Sequence, residues 1–169
     1  MKKFYIIGIL FFVFFLHKHA LSNEKIFFID IDYIINNSEI GKSTLNKINE
    51  INKENILKLK KREQELKEKE TEIKNKKNII SEKELAKEID LFKNNASKYN
   101  DEKNLIKKEF NDFKKKELNK IFEQISPIVQ SYMDENSIEI LIDSKYVFMG
   151  KKSSDMTEKI IEKINANIK

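Results

Sequence analysis

The residues of this chain best suited to acid–base work or to holding a metal are His17 and His19, two apart near the amino terminus. They are the only histidines, and there is no cysteine. Both fall in a stretch read below as a removable leader, so 23–169 holds neither residue type. Zinc sites built on imidazole or thiolate, Ser-His-Asp and Cys-His nucleophile arrangements, and disulfide frameworks are thereby excluded. A phosphate-cradling loop is excluded as well, because only Gly41 and Gly150 remain in 23–169 and neither GxGxxG nor GxxxxGK can be written with them. The acids are interleaved with lysines along helical stretches instead of standing beside glycines or turns, which is the pattern of solvated helix faces. Carboxylate-only catalysis or a carboxylate metal site stays formally open. The expectation is a protein with no catalytic residue, no metal and no cofactor, and not an enzyme.

The leader begins with Lys2 and Lys3, continues through an apolar run over 4–16 and ends in the small-x-small triplet Ala20-Leu21-Ser22. That is the form of a secretory signal peptide. Its run has 13 residues before His17, Lys18 and His19 interrupt it, whereas about 20 are needed to span a bilayer. Cleavage between Ser22 and Asn23 is expected, with an uncleaved anchor as the alternative. The net charge of +5 falls to +2 once Lys2, Lys3 and Lys18 leave with the leader. What remains is uneven: 42–123 carries 23 Lys or Arg against 17 Asp or Glu, an excess of +6, between slightly acidic ends. Such a basic rod attracts anionic partners, whether acidic polypeptide, lipid headgroups or nucleic acid. The secretory signal and the single arginine, Arg62, argue against nucleic acid, where the guanidinium fork is favoured.

The middle of the chain sets the architecture, since 42–126 contains no proline. In the frame starting at Leu45, apolar side chains recur at Ile48, Leu59, Leu66, Ile73 and Ile80, with Asn52, Asn55, Arg62, Lys69 and Lys76 between them. From Leu85 the pattern fills out through Ile89, Phe92, Ala96, Tyr99, Ile106, Phe110 and Phe113, with Lys103 in the skipped place. This is a coiled-coil seam, thin in its first half. Between the halves, Ser81-Glu82-Lys83-Glu84 has the form of a capping box, so a second helix is predicted to start at Ser81. An ascending helix over about 42–77, roughly 54 Å long at 1.5 Å per residue, then folds back at a polar tip near 75–81. The fold class expected is mainly α with a small β body: a long antiparallel helical hairpin, or coiled-coil arm, over 42–133. Its root is a β-rich oligomerisation body formed by the chain ends, 23–41 and 134–169.

The run 25–32, with Ile26, Phe27, Phe28, Ile29 and Ile31, reads as one strand, and 138–142 and 146–148 read as a β-hairpin about Ser144-Lys145. Asp155-Met156-Thr157-Glu158 reads as a second capping box, opening a helix with Ile160, Ile161, Ile164 and Ile168 on one stripe. Three short strands and a short helix make a poor core for so elongated a chain, and oligomerisation through Ile29, Ile140, Ile142 and Val147 is the expected remedy.

The order of these features resembles the Skp/OmpH family of periplasmic outer-membrane-protein chaperones. At the amino end the resemblance lies in Phe28-Ile29-Asp30-Ile31, then Ile34, Ile35 and Ser38, then Gly41-Lys42. At the carboxy end it lies in the strand 138–142, the turn Ser144-Lys145, the aromatic-bearing 146–148, and Asp155-Met156-Thr157. The resemblance implies a periplasmic homotrimer shaped like a three-armed clamp, working without ATP and holding unfolded outer-membrane β-barrel proteins in the cavity between its arms. The near absence of arginine departs from the family, so no lipopolysaccharide-binding patch carries over. Contact of the basic arms with an anionic membrane surface is a weaker expectation. A periplasmic structural or adaptor coiled coil binding one folded partner shares the same signal, arms and lack of catalytic residues.

Two groups have two readings each. Phe92, Tyr99, Phe110 and Phe113 either contact apolar client segments or form the hairpin seam on whose heptad frame they fall. Pro127 either opens a fresh helix capped by Ser126, giving the arm a hinge, or kinks a continuing one.

Overall fold

The computed structural model describes residues 25–168; the leader, including its cleavage site, lies outside them. Strand β1, Ile26–Ile29, leads into the short helix α1, Ile31–Asn37. Helix α2, Glu39–Lys76, climbs 38 residues, about 57 Å at 1.5 Å per residue. Residues 77–80 turn the chain, and α3, Glu82–Asn136, descends 55 residues, about 80 Å. Strand β2, Ile140–Asp143, a single 3-10 turn at Ser144–Tyr146, a second at Lys152–Ser154, and helix α4, Thr157–Asn167, complete the chain.

Local chemistry sets each boundary. Asp30 caps α1 by accepting from the Tyr33 amide at 2.8 Å. Ser38 ends α1 and caps α2, its hydroxyl accepting from the Gly41 amide at 3.2 Å. Gly41 is required there: a Cβ would lie 1.9 Å from the Ile35 carbonyl oxygen. At the tip, Ser81 and Glu84 form the reciprocal capping box, so the second helix starts where the Ser-x-x-Glu spacing places it. Helix α3 runs unbroken through Pro127. Ser126 does not cap a new helix; its hydroxyl donates back to the Phe122 carbonyl at 2.6 Å. Ser137 closes α3 in the left-handed region at φ 52°, and the Ile138 amide reaches the Met133 carbonyl at 2.9 Å, a Schellman ending with serine where glycine is usual.

The two strands come from opposite ends of the chain and pair in parallel, Ile26 opposite Ile140 and Ile29 opposite Asp143. On the other edge of β1, Phe28 bridges Asp155. The expected hairpin between 138–142 and 146–148 does not form. A two-residue hairpin needs φ > 0 in its turn, and Ser137 is the only residue among those described with positive φ; Ser144 and Lys145 instead wind into the 3-10 turn. The segment 146–148 is consequently not a strand. The second expected capping box is also replaced. Asp155 is held extended by its bridge to Phe28, so its carboxylate turns to the Thr157 amide and hydroxyl, at 2.9 and 2.6 Å. The Thr157 hydroxyl accepts from the Asp30 amide at 2.9 Å, tying the two ends together.

The core lies where these ends meet the foot of the arm. Ile34 and Ile35 of α1, Ile121, Ile125 and Tyr132 of α3, and Ile160, Ile161 and Ile164 of α4 are buried against Ile29, Ile138 and Met156. Because α3 contributes its last turns, one chain makes a larger core than its strands and short helix alone would provide.

Candidate functional site

Two places offer surface for a partner, the flanks of the arm and the open side of its root. Along the arm, Phe92, Tyr99, Phe110 and Phe113 are half-buried at spacings of 7, 11 and 3, in the same row as Ile89, Ala96 and Ile106, and every residue between them except Glu102 is exposed. They lie in the seam against α2, and the Lys47 ammonium sits 5.5 Å from the Phe113 ring centre. The place the heptad frame gives to Lys103 is taken by Glu102, which is half-buried while Lys103 is exposed. The reason is electrostatic: Glu102 meets Lys58 at 2.8 Å and Arg62 at 3.6 Å across the hairpin.

Two more lysines of α2 meet glutamates of α3 in the same way. Lys69 reaches Glu88 at 2.8 Å, and Lys47 reaches Glu117 at 2.9 Å. Glu117 is buried where the arm joins the body and also accepts from Lys120 at 2.6 Å. The hydrogen bond from Lys120, then that from Lys47, bring its pKa down from the usual 4.5 to about 2. These three glutamates stitch a seam too poor in apolar side chains to close by burial alone. A frame built on apolar recurrence overlooks them; their spacing of 14 and 15 residues was the available signal.

Outside the seam the arm exposes Ile56, Leu57, Leu91 and Leu105, with Ile79 at the tip. None falls on the heptad frame, so a reading of recurrence passes over them.

At the root, the pleat sends Phe27, Ile29 and Leu141 toward the core, while Ile26, Phe28, Ile140 and Ile142 share the opposite face of the sheet. Of the four residues expected to assemble the oligomer, Ile29 therefore belongs to the chain's own core, its side chain turned inward by the pleat. Ile140 and Ile142 lie on the outer face, Ile140 exposed and Ile142 half-buried. Val147 is half-buried in the segment that follows, where Tyr146 is 77%, Phe148 100% and Met149 84% exposed. On the inward side, where the end of β1 and α1 meet the last turns of α3, Ile29, Ile31, Ile34, Phe122, Val129 and Met133 line most of an apolar groove of about 240 Å³. Among the described residues no cluster of His, Cys, Asp and Glu could hold a metal, and no helix is long and apolar enough to cross a membrane.

Residues 25–164 match the model of the family described as outer membrane protein (OmpH-like). The chain belongs to the OmpH-like family. The fold agrees: a crystal structure of a Caulobacter crescentus protein, provisionally assigned as an outer membrane chaperone (OmpH-like), superposes with a TM-score of 0.77 at 17% identity over 85% of each chain. No curated protein matches the sequence.

Proposed function

We propose that the chain is a holding chaperone of the periplasm, delivered there by a leader cleaved between Ser22 and Asn23. In this reading it assembles as a homotrimer and shelters unfolded outer-membrane β-barrel proteins between its arms without ATP and without catalysis. The observation that carries the reading is the arm itself, a hairpin of about 57 Å stitched by ion pairs and bearing exposed apolar side chains on its flanks in addition to those in its seam. Such a surface makes many weak contacts and leaves a client releasable without an energy source. An unfolded barrel is a fitting client, because its strands alternate apolar and polar residues that it cannot shelter until it meets a bilayer. Membership of the OmpH-like family and the fold shared with the Caulobacter protein named as an outer membrane chaperone support the same reading.

Oligomerisation is favoured by the root. The outer face of the sheet is apolar, no ladder pairs the outer edge of β2 among the described residues, and 146–149 is open beside them. An unpaired edge with exposed apolar neighbours invites pairing with another chain. Here Ile140, Ile142 and Val147 serve assembly, while Ile29 serves the fold of each chain. The four seam aromatics serve the arm, and contact with clients falls to residues off the seam.

The test is suppression of aggregation. Diluted from urea into buffer without nucleotide, an outer-membrane β-barrel should stay soluble at about one oligomer per client. Loss of protection, or protection of a single folded partner only, would favour an adaptor.

A further inference from the structure

Two apolar patches lie on opposite sides of the two-stranded sheet, and they are unlike each other in shape and in charge. The first is the segment 146–149, a protrusion. A Cβ at Gly150 would stand 2.6 Å from the Phe28 ring, so the chain crosses the outer face of β1 there. Phe148 is fully exposed just before that crossing, with Met149 beside it at 84%. The second is the groove on the inward side, a depression of about 240 Å³ floored by Ile29 and Ile34 and walled by Ile31, Phe122, Val129 and Met133. Around the protrusion, 144–152 holds Lys145, Lys151 and Lys152 and no acid. Lys145 is taken by Asp143 of its own chain; Lys151 and Lys152 are exposed and form no ion pair among the described residues. Around the groove the sign is reversed. The segments that line it, 29–34 and 122–134, hold Asp30, Asp32, Glu123 and Asp134 and neither Lys nor Arg. Asp32, Glu123 and Asp134 are exposed, and none of them forms an ion pair among the described residues.

We infer that Phe148 and Met149 of one copy of the chain fill the groove between α1 and α3 of the next copy. The inference rests on the homotrimer of the proposed function and names the two surfaces that meet in it. Size allows the fit: a cavity of about 150 Å³ accepts a benzene-sized ring, so this groove takes the Phe148 ring with room for part of Met149. Charge complementarity selects the occupant, because the basic flanks of the protrusion come to rest on the acidic rim of the groove. Symmetry decides the kind of contact. A two-fold pair presents the same patch from both copies, whereas a head-to-tail contact joins two different patches and closes into a ring. With the sheet between its protrusion and its groove, a chain cannot offer both to one neighbour. Each copy therefore meets two neighbours, giving with one its Phe148 and receiving from the other the side chain that its own groove lacks.

The experiment uses the absence of native cysteine. Full chains carrying Met149→Cys alone and Gln130→Cys alone are unfolded, mixed, refolded and oxidised; Gln130 is exposed and lines the groove. The mixture should give a disulfide-linked pair that neither variant gives by itself, and the two substitutions combined in one chain should give a covalently closed oligomer of the parent's sedimentation mass. Separately, Phe148→Ser should weaken assembly by about tenfold or more, as expected for leaving a buried aromatic ring without its pocket, while Phe148→Leu weakens it by less than about threefold. Circular dichroism controls for folding, which an exposed side chain should not disturb. Disulfide pairs formed by Met149→Cys alone overturn the inference in favour of a two-fold contact. An oligomer that forms no 149–130 link, a monomeric parent, or assembly indifferent to Phe148→Ser overturns it as well. Protection of the urea-unfolded barrel is scored on the unsubstituted protein alongside. Links without protection leave the contact standing and sink the holding reading; protection by an oligomer without the link does the reverse.

Discussion

Replacing Gly41 by alanine should destabilise the protein, although glycine-to-alanine inside a helix ordinarily stabilises by about 0.5–1 kcal/mol. The sign reverses because of what the new methyl meets. A Cβ at position 41 would stand 1.9 Å from the Ile35 carbonyl oxygen, 2.7 Å from that carbonyl carbon and 2.8 Å from the Ser38 hydroxyl oxygen. Two of these atoms are backbone, so relief requires α1 and α2 to separate by more than an ångström at a junction whose capping serine is fully buried. Forcing an extra methyl into a packed site costs about 1–3 kcal/mol or more. Weakening the Ser38 cap, worth about 1 kcal/mol, adds to it. Urea unfolding followed by far-ultraviolet circular dichroism should therefore place the midpoint of Gly41→Ala well below that of the parent, with a similar slope. An unchanged or raised midpoint would mean that the two helices do not approach each other this closely, and the account of how the arm is anchored would fail.

Ser137→Gly should raise stability by about 0.5–1 kcal/mol, read from the same unfolding curves, because the left-handed conformation at φ 52° costs serine what it does not cost glycine. Glu117→Gln should cost stability near neutral pH, with a gap from the parent that closes in acid. The Glu117 pKa is lowered in the folded state, so its contribution is fully present above the ordinary 4.5 and is lost as pH falls from there through about 2. A gap unchanged across that range would show that its lysine partners do not matter. Ile140→Asp together with Phe148→Ser should lower the oligomeric mass in sedimentation equilibrium and leave the helical spectrum intact, since both residues are exposed in one chain.

What was legible in the sequence was whatever is written locally. Ser81 and Glu84 make their box because both partners lie within four residues, and the isoleucine stripe of the last helix follows from a 3.6-residue period. Pairings between distant segments were not legible. Nothing near Ile26 says that its neighbour is Ile140, and the hairpin expected of 138–148 lost to a parallel pairing between the chain ends. The seam was readable where it is apolar and misread where it is ionic: Glu102 displaces Lys103 for the sake of Lys58 and Arg62, two residues on the other helix. The candidate site was the least legible part, because the exposed Ile56, Leu57, Leu91 and Leu105 stand out only once the seam is known.

The central claim is that the ends of the chain make the body and the arm does the holding. Its most direct test replaces 66–92 by a short Gly/Asn turn and measures both oligomeric state and protection of a urea-denatured outer-membrane β-barrel. The shortened protein should keep the parent's oligomeric state and lose protection, because Ile121, Ile125, Ile160 and the rest of the core lie outside the deletion. If it protects the barrel as well as the parent does, the arms are not the holding device, and an adaptor that binds through its body becomes the better account.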